Sequence, residues 1–148
     1  MEQIYRNIIL DHYRHPRHFG RVTGYPLQGQ AHNRLCGDEL LLGISIEDGR
    51  VATMGFHGRG CAVCMAAASL ACDHLPGTPS EGLTQWVRQL AAALAAADQP
   101  LPWPLDPLTP LRDYPSRHRC ILLVAEALED ALTHGPLRQG QGAALEAP

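Results

Sequence analysis

The chain has 148 residues and a formal charge of −3, from 12 arginines and 15 acidic side chains, with no lysine. That length suits one domain with a sizeable core. The charge gives no support for a nucleic-acid polymer as partner, since binding one needs a basic face, and none is expected. No run of 18 uninterrupted apolar residues occurs, and Met1-Glu2-Gln3-Ile4-Tyr5-Arg6 is polar and helical in pattern. A cytoplasmic protein with no membrane contact is therefore expected. There the five cysteines, Cys36, Cys61, Cys64, Cys72 and Cys120, are reduced. An odd number of thiols in a reducing compartment argues for metal binding or catalysis over a disulfide framework.

Ile4, Tyr5, Ile8, Ile9 and Tyr13 recur at helical spacing over residues 3–14, and Pro16 ends that helix. Residues 15–35 read as loop or weak strand. Leu40, Leu42, Ile44 and Ile46 alternate as a half-buried strand, Asp48-Gly49 is a hairpin turn, and Val51, Met54 and Phe56 mark the returning strand with one break in the alternation. The Ala-rich stretch 61–75 predicts a buried helix. Thr78-Pro79-Ser80-Glu81 predicts a capped helix start, with Thr78 and Glu81 as a capping box and a run to about Ala97. Six prolines between Gln99 and Pro115 predict an ordered, irregular loop holding Trp103. Ser116 is the expected cap of a last helix that buries Cys120, Leu123, Val124, Ala127, Leu128 and Ala131 and stops at Gly135. The expected organisation is one domain over 1–135 and a flexible tail over 136–148. The fold class is α+β: a small antiparallel sheet containing the 40–57 hairpin, with helices packed on one face.

The chemistry concentrates at Cys36-Gly37-Asp38. A soft thiolate and a hard carboxylate share one tight turn, whereas structural zinc clips are usually built from Cys and His alone. Gly37 permits the dihedrals that aim both side chains at one point. The hairpin brings this turn beside Gly58-Arg59-Gly60-Cys61. Cys61 opens a helix, where the dipole and free N–H groups favour thiolate. Cys120 stands near the start of the last helix, behind Arg117, His118 and Arg119. Cys36, Asp38, Cys61 and Cys120 are thus expected to converge on one metal. Cys72, in mid-helix among alanines, reads as core. Cys64 shares the helix face of Cys61 and lines the site, with ligation the lesser alternative. His118 is a possible ligand, while His12, His15 and His18 read as surface or structural residues.

Four segments then resemble one known family. Ile9-Leu10-Asp11-His12-Tyr13-Arg14-His15-Pro16-Arg17-His18-Phe19-Gly20 is similar to the N-terminal signature of the IscU/SufU/NifU-N iron–sulfur cluster assembly proteins. Asn33-Arg34-Leu35-Cys36-Gly37-Asp38, Phe56-His57-Gly58-Arg59-Gly60-Cys61-Ala62 and Arg119-Cys120-Ile121-Leu122-Leu123 resemble the three ligand segments of that family, in order. Arg119 stands where the IscU branch has a His, and Tyr114-Pro115-Ser116-Arg117 where that branch has a chaperone-recognition motif. Both departures, with the long Pro-rich interval before Cys120, resemble the SufU branch. Cys64, in place of a usual Ser or other small residue, and Ala125, in place of a frequent Trp, depart from the family pattern.

The resemblance implies a SufE/IscU-like fold and Zn2+ on Cys36, Asp38, Cys61 and Cys120. It implies Cys36 as the acceptor of persulfide sulfur from a SufS-type cysteine desulfurase, Arg119 as a basic neighbour, and downstream Fe–S assembly or apo-acceptor proteins as further partners. Such a chain is a sulfurtransferase-like partner of the desulfurase rather than a stand-alone enzyme. The alternative within the family is a scaffold that builds an Fe–S cluster on the same four residues and passes it on. Outside it stand a structural metal module, which Asp38 disfavours, and a thiol-redox protein using Cys61 and Cys64, which would need a thioredoxin-like βαβ context.

Overall fold

Asp48 and Gly49 take positive φ, 53° and 75°, as the two-residue hairpin turn requires, and join strand β2 (Asp38–Glu47) to strand β3 (Arg50–Arg59). The break in alternation is a shift of register between Ser45 and Ile46. The computed structural model describes residues 2–135, and the expected tail, 136–148, lies outside them. Around the hairpin stand helices α1 (Glu2–Arg14), α2 (Ala62–His74), α3 (Leu83–Ala95) and α4 (His118–His134). Leu40, Leu42, Ile44, Met54 and Phe56 share one core with α2, α3 and α4. The α+β architecture is the one expected. Among the described residues, no helix is long and apolar enough to cross a membrane.

The weak strand before the hairpin is a full third strand, β1 (Leu27–Asn33), antiparallel to β2 in the sheet order β1-β2-β3. Its sequence hides this because its helix-facing positions are small. A side-chain carbon on Gly29 would land on the Ala127 carbonyl oxygen and the Ala131 nitrogen of α4. Strand and helix backbones therefore touch there. Gly29→Ala should cost about 3 kcal/mol of overpacking, which cannot relax against backbone. Its thermal midpoint should fall on the order of 10 °C, and an unchanged midpoint would show that β1 and α4 are not packed this closely. On the opposite face, Tyr25 lies over the cross-strand pair Gly43 and Gly55.

Several local expectations need correction. Thr78 does not cap a helix: its hydroxyl donates to the Leu75 carbonyl at 2.7 Å, and a 3-10 turn, Ser80–Gly82, precedes α3. No side chain caps α3, which ends at Ala95. Nor does Ser116 cap α4. It lies inside a 3-10 turn, Pro115–Arg117, and Arg117 occupies the cap position with no side-chain cap. The Pro-rich loop is partly 3-10 helix, Asp106–Asp113. Prolines fit its φ angles and the tighter i→i+3 pattern leaves few N–H groups unpaired. The Arg112 guanidinium ties it to α3 by donating to the carbonyls of Ala93, Ala97 and Gln99. Trp86 Nε1 donates to the Trp103 carbonyl at 2.7 Å.

Helix α1 buries less of its apolar stripe than its spacing predicts: Ile4 is 60% and Tyr13 47% exposed, while Ile8 and Ile9 pack on the core. Among its described side chains the one buried is His12, whose Nδ1 lies 2.8 Å from the Ser69 hydroxyl of α2. That hydroxyl also accepts the Arg17 N–H at 2.8 Å. Burial, helped by the Arg17 charge, pulls the His12 pKa below its ordinary value, so folding favours the neutral ring. The unfolded chain binds this proton first as pH falls. The contribution of His12 is therefore complete above about pH 6.5 and declines as pH drops through that value. His12→Gln should reduce the loss of urea midpoint between pH 7 and pH 5. An equal loss in both proteins would rule His12 out as its source.

Candidate metal centre

The site forms where three chain ends meet. The β1–β2 connection is a tight turn over residues 34–37, with Asn33 and Asp38 paired across its base. Gly37 adopts φ +73°, and its N–H donates to the Asn33 carbonyl at 2.8 Å. This left-handed step returns the chain into β2 with Asp38 as its first residue. The pairing of Glu39 with Arg59 then sets the end of β3 beside Asp38. Cys61 follows as the N-cap of α2, extended at φ −69° and ψ 169°, with no side-chain cap bond competing for its sulfur. Cys120 enters from the first turn of α4, across the cleft.

One carboxylate oxygen of Asp38, Cys61 Sγ and Cys120 Sγ all lie within 4.8 Å of one another. Cys120 Sγ is 3.9 Å from Asp38 Oδ2. Asp38 and Cys120 are buried, and Cys61 is half-buried. Tetrahedral zinc with bonds of about 2.3 Å to sulfur holds its donors roughly 3.8 Å apart, so these three atoms are within a small side-chain adjustment of that spacing. Two thiols and a carboxylate suit zinc or iron rather than magnesium or calcium. Burial pushes the Cys120 thiol pKa up, and the neighbouring Cys61 and Asp38 push it further, while Arg117 opposes them by hydrogen bonding. Without a cation the Cys120 thiol favours its protonated form; a cation would reverse that preference.

The four expected donors do not stand alike. Asp38, Cys61 and Cys120 converge, whereas Cys36 sits exposed on the turn and outside their group. Of Cys36, Gly37 and Asp38, the residue that the hairpin delivers to Cys61 is Asp38. Leu35, beside Cys36, is 95% exposed. Arg119 pairs with Glu126 at 3.3 Å along its own helix. The guanidinium that reaches Cys120 belongs to Arg117, two residues earlier, where the 3-10 turn carries it over the helix start. The basic neighbour expected from the sequence was Arg119, with Arg117 noted only as part of the basic run before Cys120. His118 turns away, with Nε2 2.7 Å from the Arg112 carbonyl. Cys72 is fully buried in the core, as expected, and Cys64 is buried beside the cluster.

A strand end, a helix cap and the last helix of a small α+β domain with a three-stranded antiparallel sheet thus each bring one metal-type donor to a common point. The family model described as "NifU-like N terminal domain" matches residues 4–96, and the chain belongs to that family. The match takes in Cys36, Asp38 and Cys61 and stops short of Cys120. A Thermotoga maritima protein named "Iron-sulfur cluster assembly scaffold protein IscU" is 28% identical over 134 residues, 88% of this chain and 94% of its own length. A Bacillus subtilis protein named "Zinc-dependent sulfurtransferase SufU" is 26% identical over 132 residues, 87% of this chain and 89% of its own length. The same fold occurs in a NifU-like N-terminal protein from Brucella abortus, at a TM-score of 0.77 and 23% identity, covering 88% of this chain and 93% of that one. It occurs also in a putative iron–sulfur cluster assembly scaffold protein for the SUF system from Fervidobacterium islandicum, at 0.78 and 22%, covering 89% and 98%.

Proposed function

We propose that this chain is an iron–sulfur cluster assembly protein, and that it accepts persulfide sulfur on Cys36 beside a zinc ion held by Asp38, Cys61, Cys120 and, at rest, Cys36. The observation that carries this reading is the split in the donor set: three convergent donors, two of them buried and Cys61 half-buried, and one exposed thiol on the adjoining turn. A purely structural site would be closed by four equivalent residues.

Bound zinc would keep its thiols deprotonated and protect them from oxidation. Everything else falls to the chain. The turn presents Cys36 to a partner, and exposed Leu35 gives that partner an apolar contact. The partner is a cysteine desulfurase of the SufS type. The Cys36 thiolate attacks the outer sulfur of the persulfide on that enzyme. A new S–S bond forms on Cys36 as the donor S–S bond breaks, and the donor cysteine leaves as thiolate. Arg117 and Arg119 offset the negative charge of the thiolate-rich cleft. Downstream Fe–S assembly or apo-acceptor proteins receive the sulfur.

The second reading, a scaffold carrying an Fe–S cluster as cargo on the same residues, draws support from the name of the Thermotoga relative. Arg119 in place of a His before Cys120 favours zinc and sulfur relay. The direct experiment is to incubate the protein with a SufS-type desulfurase and cysteine, alkylate it, and locate the added sulfur by peptide mass spectrometry. Sulfur on Cys36 is expected. Sulfur found only on other cysteines would refute the acceptor assignment.

A further inference from the structure

Cys64 lies where a core cysteine has no need to be. It is 1% exposed, in the first turn of α2, one helical turn beyond Cys61 and on the same face. The charges that bear on it belong to Asp38, Cys61 and Cys120, whereas Cys72, further along the same helix, has only Asp73. Gly60 separates Cys64 from Asp38. A side-chain carbon on Gly60 would sit 3.0 Å from Cys64 Sγ and 3.3 Å from Asp38 Cγ. The thiol and the carboxyl group both border the space that this carbon would fill. Cys64 is thus a third thiol, itself buried, at a centre where Asp38, Cys61 and Cys120 already converge and the remaining candidate donor, Cys36, is exposed.

We infer that Cys64 is a reserve donor to the metal, taking the coordination place that Cys36 vacates. This rests on the zinc reading above and deepens it. When Cys36 departs as thiolate, Cys64 would take its place and give up its proton to solvent. Three thiolates and one carboxylate, from Cys61, Cys120, Asp38 and either Cys36 or Cys64, would then hold the ion in both states, with no change in charge. Cys36 is then free to act as nucleophile without opening the centre to water. The space beside Gly60 gives the Cys64 side chain room to turn toward Asp38.

Zinc-edge X-ray absorption of protein dialysed free of small thiols counts the sulfur donors. Wild-type protein should show three. Cys36→Ala should also show three, with zinc content unchanged, and Cys36→Ala/Cys64→Ala should show two. A Cys36→Ala protein whose zinc carries two sulfurs overturns the role of Cys64 and leaves the zinc reading standing. A wild-type protein that holds no zinc overturns both. Circular dichroism matching wild type secures the comparison, because Cys36 is exposed and Cys64→Ala removes a single buried sulfur atom.

Discussion

Replacing Cys61 and Cys120 together by alanine should leave the protein folded and without its metal. These two sulfurs and one Asp38 oxygen are the converging group, and they come from different elements: a helix cap, the first turn of a second helix and a strand end. Structural zinc sites bind with apparent free energies of about 10–16 kcal/mol over four donors, so two thiolates carry on the order of 6 kcal/mol, a loss of about 10⁴-fold or more in affinity. Cys64 replaces at most one of them. The fold should survive, because Cys61 is half-buried with no cap bond to lose and Cys120→Ala removes a single buried sulfur atom. Zinc content after dialysis against a chelator reads the effect. A double variant that retains one zinc per chain would place the metal elsewhere.

Cys36→Ala should have the opposite pattern: metal retained, function lost. The turn that holds Cys36 is fixed by backbone, through the Asn33 carbonyl and the left-handed Gly37, and not by the Cys36 side chain. Removing an exposed sulfur costs little stability. Yet no other thiol on this surface is comparably exposed: Cys61 is half-buried, and Cys64, Cys72 and Cys120 are buried. Turnover of a cysteine desulfurase with the variant should therefore match the rate of the enzyme alone, at least tenfold below that with wild type if persulfide release limits the cycle. Wild-type stimulation by Cys36→Ala would remove Cys36 from the reaction.

The hairpin was legible because every local signal agreed: alternation from Leu40 to Ile46, Asp48-Gly49, and the return through Phe56. The buried α2 was legible from its alanines. Strand β1 was not, because Gly29 and Ala31 are small for a reason visible only when α4 is laid on them. The capping boxes failed for a related reason. Thr78 and Ser116 have capping chemistry, but the Thr78 hydroxyl is spent on the Leu75 carbonyl and Ser116 lies inside a 3-10 turn, and both helices start without a side-chain cap. At the site, the pairing register decides which residue of Cys36-Gly37-Asp38 reaches Cys61, and a two-residue difference separates an exposed thiol from a buried carboxylate. The roles of Arg117 and Arg119 divide in the same way, through the 3-10 turn before α4.

The central claim is a zinc-supported sulfur acceptor, and metal analysis of the purified protein tests it most directly, paired with an absorption spectrum after anaerobic treatment with iron and sulfide. The account predicts one zinc per chain, a colourless protein, and no stable cluster chromophore after that treatment. A chain purified without zinc that takes up a stable Fe–S chromophore would contradict it.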